Sequence, residues 1–418
     1  MRAGDHFPIR RSTEAKSKQL ASAPSWASLP AVLLAQCATN ANDAQSILAL
    51  ACVCKAWRAA VGSDRFDGVF KQRYMLDYEH ESTNDVCIAP DWVATPWREC
   101  YEQRTRVERN WHAGAPADVY KRQFRTGPAF KLLPSLGLLV CYEDDELVFL
   151  LTPWLDEVKR VKLPSEIRLY PELSVDDEHY PPLVAVSCRG TVLAFNAATF
   201  EPHGHPLDID ATSIAVCGAR NWLLASKSGS DMRIFSLVTG EQLFAFDLLL
   251  NNIYEIAVSA NGSTVVLDSA LGISAWYSLP SAADGDEKSA DRDAPRLLGQ
   301  FSNVDRCLDR ARSRAIVFSP ESGATPADRE LLKGFQDAGF AVELRHNRHV
   351  VLRRTTCTMT LFDSVTGRAR TVPHEPLEKA LKLKPDEWAW SRFEASWRFL
   401  VLWDHSNSEL LCCDFLCI

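Results

Sequence analysis

Between positions 28 and 61 the apolar residues recur at the spacing of an α-helix. Ile47, Leu50, Cys54 and Trp57 follow one another at steps of three, four and three residues, and such steps place side chains on one face of a helix. Pro30 suits the first turn of an earlier helix, where its missing N–H needs no partner. The pattern therefore predicts a helical region close to the N-terminus.

A second helical pattern covers residues 64 to 112 and is interrupted by polar residues near Glu79 to Asp85. Thr95 and Pro96 form a typical helix start. An apolar stripe follows them and ends before Gly114, which predicts one amphipathic helix. The stripe consists of Trp97, Cys100, Tyr101, Val107 and Trp111.

After about Phe124 the pattern changes to short runs of Val, Leu, Ile and Phe between clusters of Gly, Asn, Asp and Ser. Such runs, bounded by turn residues, predict β-strands. Similar segments recur, each with an apolar run closed by an aromatic residue and a polar turn. Their aromatic anchors are Phe149, Phe195, Phe235, Trp276, Phe318, Phe362 and Phe415, at intervals of 46, 40, 41, 42, 44 and 53 residues.

This period resembles that of WD repeats, in which each repeat forms one four-stranded blade of a β-propeller. Seven anchors predict seven blades, packed face to face so that only short strand edges remain. A pair of two-sheet β-sandwiches is the alternative, and the regular interval disfavours it. The Asp and His residues of typical WD repeats are not repeated here, so apolar packing is expected to hold the blades together.

The N-terminal helical segment resembles the F-box, a three-helix motif. Its opening Leu29 and Pro30, its central apolar residues and its closing segment from Val53 to Arg58 have the order and spacing of that motif. Downstream residues resemble the signature that follows the F-box in F-box proteins with C-terminal propellers. These are Trp97, Arg98, Tyr101, Arg104, Asn110 and Trp111.

The resemblance implies a binding partner. A motif this short cannot bury a full core alone, so its outer apolar residues need the helices of another protein. In the F-box family that protein is the Skp-type adaptor of a cullin-based ubiquitin ligase, and Trp57 would anchor the core of the motif itself. The resemblance implies an adaptor contact made by Leu29, Pro30, Leu33, Leu34, Ile47, Leu50 and Val53.

The sequence thus predicts a mainly β fold with an N-terminal F-box-like helical region. The expected segments are a flexible tail at 1–24, the F-box-like motif at 25–73, a helical connector at 74–123 and the propeller at 124–418. The chain would act as the substrate-recognition subunit of a Skp/cullin/F-box ubiquitin ligase, and the propeller would bind a protein target that the sequence does not name. One alternative is a propeller scaffold unrelated to ubiquitin, in which the helices cap the fold; another is a propeller enzyme.

Composition and charge narrow the classes of partner. The 418 residues carry a formal net charge of −8, and the pI is about 5.7, so general binding to nucleic acids or anionic membranes is not expected. The first residues form no signal peptide and no run is long enough to span a bilayer, so we expect a cytoplasmic or nuclear protein. Residues 97 to 125 hold seven Lys or Arg and four acids, which predicts a solvated helix face.

Candidate catalytic and metal-binding groups are few. His203 and His205 lie between two prolines in a predicted turn, and no carboxylate or thiol stands at ligand spacing. His346 and His349 are expected to face solvent before a strand. The 13 cysteines lie in apolar contexts, where they are expected to be core thiols. We therefore expect a protein without catalytic residues, metal or cofactor.

Overall fold

The computed structural model of the 418-residue chain describes most of the predicted sheets and part of the N-terminal helices. Two compact units result, Met1–Arg73 and Tyr74–Ile418. The described residues are 33–35, 49–50, 52–61, 64–78, 95–125, 129–163, 171–177, 179–188, 190–227, 231–248, 250, 253–259, 261–269, 274–280, 295–301, 340–345, 349–354, 359–363, 368–382, 393–404 and 407–416.

Four helices are described, namely α1 (Lys55–Val61), α2 (Asp64–Tyr78), α3 (Trp97–Ala113) and α4 (His374–Leu381). Helix α3 begins directly after Pro96 and ends at Gly114, whose φ of 63° is the left-handed conformation that closes many helices. The prediction of one helix after Thr95 and Pro96 is therefore confirmed. Among the described helices, none has the length and apolar character needed to cross a membrane.

The described strands form six four-stranded antiparallel sheets. Sheet I contains β2 (Ala129–Leu133), β3 (Leu138–Glu143), β4 (Glu146–Leu151) and β5 (Asp156–Lys162), and sheet II contains β6 (Leu173–Asp176), β7 (Leu183–Cys188), β8 (Thr191–Asn196) and β9 (Glu201–Pro202). Sheet III contains β10 (Ser213–Cys217), β11 (Trp222–Ser226), β12 (Asp231–Ser236) and β13 (Gln242–Asp247).

Sheet IV contains β14 (Ile253–Val258), β15 (Thr264–Ser269), β16 (Ser274–Ser278) and β17 (Arg296–Phe301). Sheet V contains β18 (Phe340–Arg345), β19 (His349–Arg354), β20 (Met359–Asp363) and β21 (Arg368–Val372). Sheet VI contains β22 (Phe393–Ala395), β23 (Phe399–Asp404) and β24 (Glu409–Asp414), and β1 (Asp118–Gln123) completes it.

The aromatic anchors recognised in the sequence mark the same place in every described sheet. Five of them lie in the third strand of sheets I to V, and the last directly follows β24, the third strand of sheet VI. The repeat in the sequence therefore has a structural cause, since each period is one four-stranded meander. Phe318, the remaining anchor, lies outside the described residues.

Sheet VI joins the two ends of the sheet-forming region. Strand β1 pairs antiparallel with β24, and the register sets Val119 opposite Cys413. The sheets thus begin at Asp118, whereas the sequence analysis placed 118–123 in a helical connector and the first strand after 124. The period could not reveal this, because β1 belongs to a sheet whose other strands follow about 270 residues later.

The first strands of neighbouring sheets lie side by side. Strand β2 contacts β6, β6 contacts β10, β10 contacts β14, β18 contacts β22, and β22 contacts β2. Buried apolar side chains fill the space between successive sheets, for example Phe149 of sheet I with Val184 of sheet II. The described part of this unit is therefore mainly β, with four-stranded antiparallel sheets arranged as in a β-propeller, and two-sheet sandwiches do not describe it.

Hydrogen bonds also connect successive sheets, in addition to the apolar packing that was expected to hold them together. The bonds join residues about one repeat apart, with sequence separations of 40 to 42. Sheets I to IV are therefore linked in succession by bonds between residues of adjacent repeats. The bonds run from the Ser135 N–H to Asp177 Oδ2 (2.7 Å), from the Val216 N–H to Ser174 Oγ (3.0 Å) and from Ser213 Oγ to the Ile253 carbonyl (3.1 Å).

Candidate protein-interaction site

The predicted adaptor-binding residues divide into exposed and buried groups. Leu33 has 46% of its surface exposed and Val53 has 56%, whereas Leu34 has 2%. Leu50 is half-buried. Among the described members of the predicted contact set, the accessible residues are therefore Leu33, Leu50 and Val53. Leu34 belongs to the interior. Leu29, Pro30 and Ile47 lie outside the described residues.

Helix α1 has one buried and one exposed side. Trp57 and Val61, one turn apart, are 8% and 1% exposed, as expected for side chains at positions i and i+4. The N–H of Trp57 also donates to Cys54 Sγ at 3.4 Å. Lys55 and Arg58 face solvent. Trp57 thus occupies an interior position, where the resemblance to the F-box would place it.

In the second unit, helix α3 is attached to sheet VI by its aromatic side. Trp111 stacks on Phe415 with ring centroids 3.8 Å apart, and its indole Nε1 donates to the Trp397 carbonyl at 2.8 Å. Asn110 Nδ2 donates to the Phe415 carbonyl, also at 2.8 Å. The Asn-Trp pair recognised in the sequence therefore fixes α3 to the end of sheet VI.

Arg104 of α3 is fully buried. Its guanidinium lies 4.7 Å from the centre of the Trp397 ring, and its Nη2 is 2.8 Å from Glu108 Oε1, one turn along the helix. The prediction that the basic residues of 97–125 form one solvated face was thus wrong for Arg104. An Arg on an aromatic face beside a carboxylate can be buried because both contacts offset its desolvation.

A buried ion pair lies next to this attachment. Arg398 and Asp414 make two hydrogen bonds, Nε to Oδ1 at 2.8 Å and Nη2 to Oδ2 at 2.6 Å. Their side chains are 10% and 3% exposed. Asp414 Oδ1 also accepts the N–H of Leu416 at 2.9 Å. Sequence reasoning missed this pair, because the two residues are 16 positions apart and meet only when β23 and β24 pair.

The His203–Gly204–His205 segment is the turn that its prolines predicted. Gly204 has φ of 74°, and a Cβ there would lie 1.8 Å from the Leu237 carbonyl oxygen. His203 Nε2 is 3.1 Å from Asn221 Oδ1. The segment therefore packs closely on sheet III. No group of three His, Cys, Asp or Glu suited to a metal ion occurs among the described residues; His346 lies outside them, and His349 is the first residue of β19.

Four cysteines of the sheets, Cys141, Cys217, Cys412 and Cys413, are buried thiols. Burial raises the pKa of Cys141, Cys412 and Cys413 well above the ordinary value. Burial, with the nearby Asp176 carboxylate, raises the pKa of Cys217 to about 11. A thiol that stays protonated is a poor nucleophile, so these cysteines contribute packing rather than chemistry.

Two basic residues of sheet III lie beside acidic residues. Arg233 Nε lies 3.0 Å from Asp231 Oδ2, and Lys227 Nζ lies 3.9 Å from Asp210 Oδ2. Both are thus paired with local acids on an exposed surface. Arg189 is outside the described residues. Lys227 and Arg233 therefore do not form an uncompensated basic surface.

Comparison with known proteins gives limited information. No protein-family model matches the chain, and no curated protein matches it in sequence. Among solved structures, it is similar to the β-propeller domain of Cps50 (Swd1) from Myceliophteria thermophila, with a TM-score of 0.40 and 10% identity over 70% of this chain and 99% of that one. A likeness this distant carries no argument, so the description of the fold rests on the strand pairing above.

Proposed function

We propose that this protein is the substrate-recognition subunit of a Skp/cullin/F-box ubiquitin ligase. The N-terminal unit binds the Skp-type adaptor, and the sheets bind the protein that is to be modified. The protein itself performs no catalysis, since the transfer chemistry belongs to its partners. The observation that carries the proposal is the exposure of Leu33 and Val53 in a segment whose sequence resembles the F-box.

Exposed aliphatic side chains are a source of binding energy. Burying a Leu or Val side chain contributes roughly 1.5–3 kcal/mol, so Leu33, Val53 and the half-buried Leu50 together offer several kilocalories per mole to a partner helix. Trp57 and Val61 are already buried, so a partner gains nothing from them. This division supports a motif that keeps its own core and presents a separate apolar contact.

The attachment of α3 to sheet VI suits a recognition subunit. The stacked Trp111, the hydrogen-bonded Asn110 and the buried Arg104 fix the helix at several points. Helix α3 is thus held rigidly on the sheets. Loops at the ends of a rigid set of sheets are in turn a common place for target recognition.

Binding to a purified Skp-type adaptor tests the proposal. The wild type is expected to form a complex that survives size-exclusion chromatography, and two double variants, Leu29→Ala with Pro30→Ala and Leu33→Ala with Val53→Ala, are expected to weaken it at least tenfold. The matched control is Ala56→Ser with Ala59→Ser, at exposed positions of α1. Circular dichroism establishes that each variant is folded.

The outcomes separate the proposal from its alternative. If the wild type does not bind the adaptor, the ligase function is wrong, and a scaffold unrelated to ubiquitin takes its place. If the wild type binds and both double variants bind equally well, the partner is right and the contact surface is wrong.

A further inference from the structure

Three large apolar side chains are exposed at one end of sheets I, II and III. Trp154 lies in the turn between β4 and β5, Tyr180 in the turn between β6 and β7, and Val238 in the turn between β12 and β13. Their exposed fractions are 47%, 86% and 58%. In an antiparallel meander, the turns after the first and third strands open at the same end. The three side chains therefore share one end of three consecutive sheets.

The turns at this end are held together. The N–H of Ser135, in the first turn of sheet I, donates to Asp177 of sheet II, and the N–H of Gly218 in sheet III donates to Asp176. The rings of Phe149 and Phe200 also meet edge to face, with centroids 4.9 Å apart across sheets I and II. A partner that binds here would meet an ordered surface, and little conformational entropy would be lost.

The charge around these side chains is negative. Asp156, Glu201 and Glu241 stand where the fourth strands of the three sheets begin, all of them exposed. None of the three makes an ion pair within the described part of the chain. They leave an acidic rim beside the apolar side chains.

The other charged groups at this end are already bonded. Arg220 lies over the Trp222 ring and donates to the carbonyls of Asn261 and Pro280. His179 Nδ1 is 3.0 Å from Asp176 Oδ1, and Asp177 accepts from Ser135. His205 is exposed and its backbone N–H donates to the Leu237 carbonyl. Arg122 donates to the Leu155 carbonyl, next to Asp156, and pairs with Glu157. Among the described residues at this end, the three exposed acids therefore outnumber Arg220, the arginine that has no acidic partner.

We propose that this end of sheets I to III, defined by Trp154, Tyr180 and Val238, is a docking surface for a polypeptide segment that carries apolar residues flanked by Lys and Arg. Trp and Tyr are the side chains that most often dominate a protein interface. Acids at the rim attract a basic segment and repel nucleic acid and acidic proteins, including a second copy of this chain with its net charge of −8. The surface is independent of the adaptor-binding function.

Selection from a phage library of random 12-residue peptides on the full-length protein tests the proposal. Enriched peptides are expected to combine at least two Lys or Arg with aromatic or aliphatic residues. Their synthetic, fluorescein-labelled forms then give dissociation constants by fluorescence polarisation. Trp154→Ala with Tyr180→Ala is expected to weaken binding at least tenfold, and Asp156→Lys with Glu201→Lys and Glu241→Lys at least as much.

Matched controls come from exposed apolar residues elsewhere. Val158 of β5 and Leu298 of β17 are 47% and 44% exposed, and Val158→Ala with Leu298→Ala is expected to leave the affinity unchanged. The triple variant Asp156→Lys, Glu201→Lys and Glu241→Lys changes no apolar contact. It therefore tests the docking surface even if Trp154→Ala with Tyr180→Ala folds poorly. The proposal is overturned if no peptide is enriched, if the enriched peptides are acidic, or if both surface variants bind them as the wild type does. Adaptor binding is measured separately, so either proposal can fail alone.

Discussion

Helices α1 and α3 both belong to stretches that resemble the F-box family, yet they use their apolar residues differently. Helix α3 lies on a sheet and buries Tyr101, Val107 and Trp111. The segment before and in α1 buries Trp57 but leaves Leu33 and Val53 at the surface. The two regions therefore differ in that one buries its apolar residues within the protein, whereas the other divides them between interior and surface. Stability and binding measurements separate the buried residues from the exposed ones.

The largest effect on stability is expected from Trp111→Ala. The change removes a stacked ring and the hydrogen bond to the Trp397 carbonyl, and loss of a buried Trp costs about 3–5 kcal/mol. Urea unfolding measures it. Trp154→Ala is the matched control, because that ring is 47% exposed, and it should cost less than about 1 kcal/mol. If both variants lost the same free energy of unfolding, Trp111 would not fix α3 to sheet VI.

A somewhat smaller effect is expected from Asp414→Asn. This change keeps the shape of the side chain but leaves Arg398 buried without its counter-charge, at a cost of about 3 kcal/mol. Asp231→Asn is the control, since it breaks the exposed pair with Arg233, and such pairs contribute about 1 kcal/mol or less. Thermal unfolding of both variants compares them. If Asp414→Asn lowered stability no more than Asp231→Asn, the buried Arg398–Asp414 pair would not stabilise the protein.

A third effect depends on pH. Unfolded cysteine loses its proton near pH 9, whereas folded Cys217 keeps its proton until its pKa of about 11. Between these two pKa values only the unfolded thiol ionises, so the free energy of unfolding falls as the pH rises. At pH 9.5 this thiol lowers the free energy of unfolding by roughly 1 kcal/mol relative to pH 7.5. Cys217→Ala should lose correspondingly less stability between the two pH values. An identical loss in wild type and variant would contradict the buried position of this thiol.

The smallest effect on stability is expected at Leu33 and Val53, the residues proposed to bind the adaptor. Leu33→Ala with Val53→Ala should change the free energy of unfolding by less than about 0.5 kcal/mol, since surface substitutions rarely do more, while adaptor binding weakens at least tenfold. Urea unfolding and size-exclusion binding are measured on the same preparation. A large loss of stability would place these residues in the interior, as Leu34 is.

The sequence predicted those features that depend on local pattern. The start of α3 after Pro96 and the repeat of the aromatic anchors follow from spacing within one helix or one meander. The two-residue hairpin at Asp144 and Asp145, which both have positive φ, is likewise a local feature, because it joins strands that adjoin in the chain. Each of these depends on residues that are neighbours in the chain.

Features that depend on distant residues could not be predicted in this way. Strand β1 joins β24 across the length of the sheets, and Arg104 is buried only because Trp397 of sheet VI covers it. The bonds between sheets join residues one repeat apart, and a single sequence shows the repeat but not which side chains face each other. For the same reason the apolar residues of the F-box-like segment looked alike, although Leu34 is buried and Leu33 is not.

Amide hydrogen exchange with and without a Skp-type adaptor is the decisive measurement for the proposed adaptor contact. The adaptor is expected to slow exchange in peptides covering residues 29–61 and to leave exchange unchanged in peptides covering the sheets from Asp118 to Asp414. Slowing confined to the sheets, or no slowing under conditions that saturate a known F-box protein, would contradict the assignment of the N-terminal unit as the adaptor-binding element.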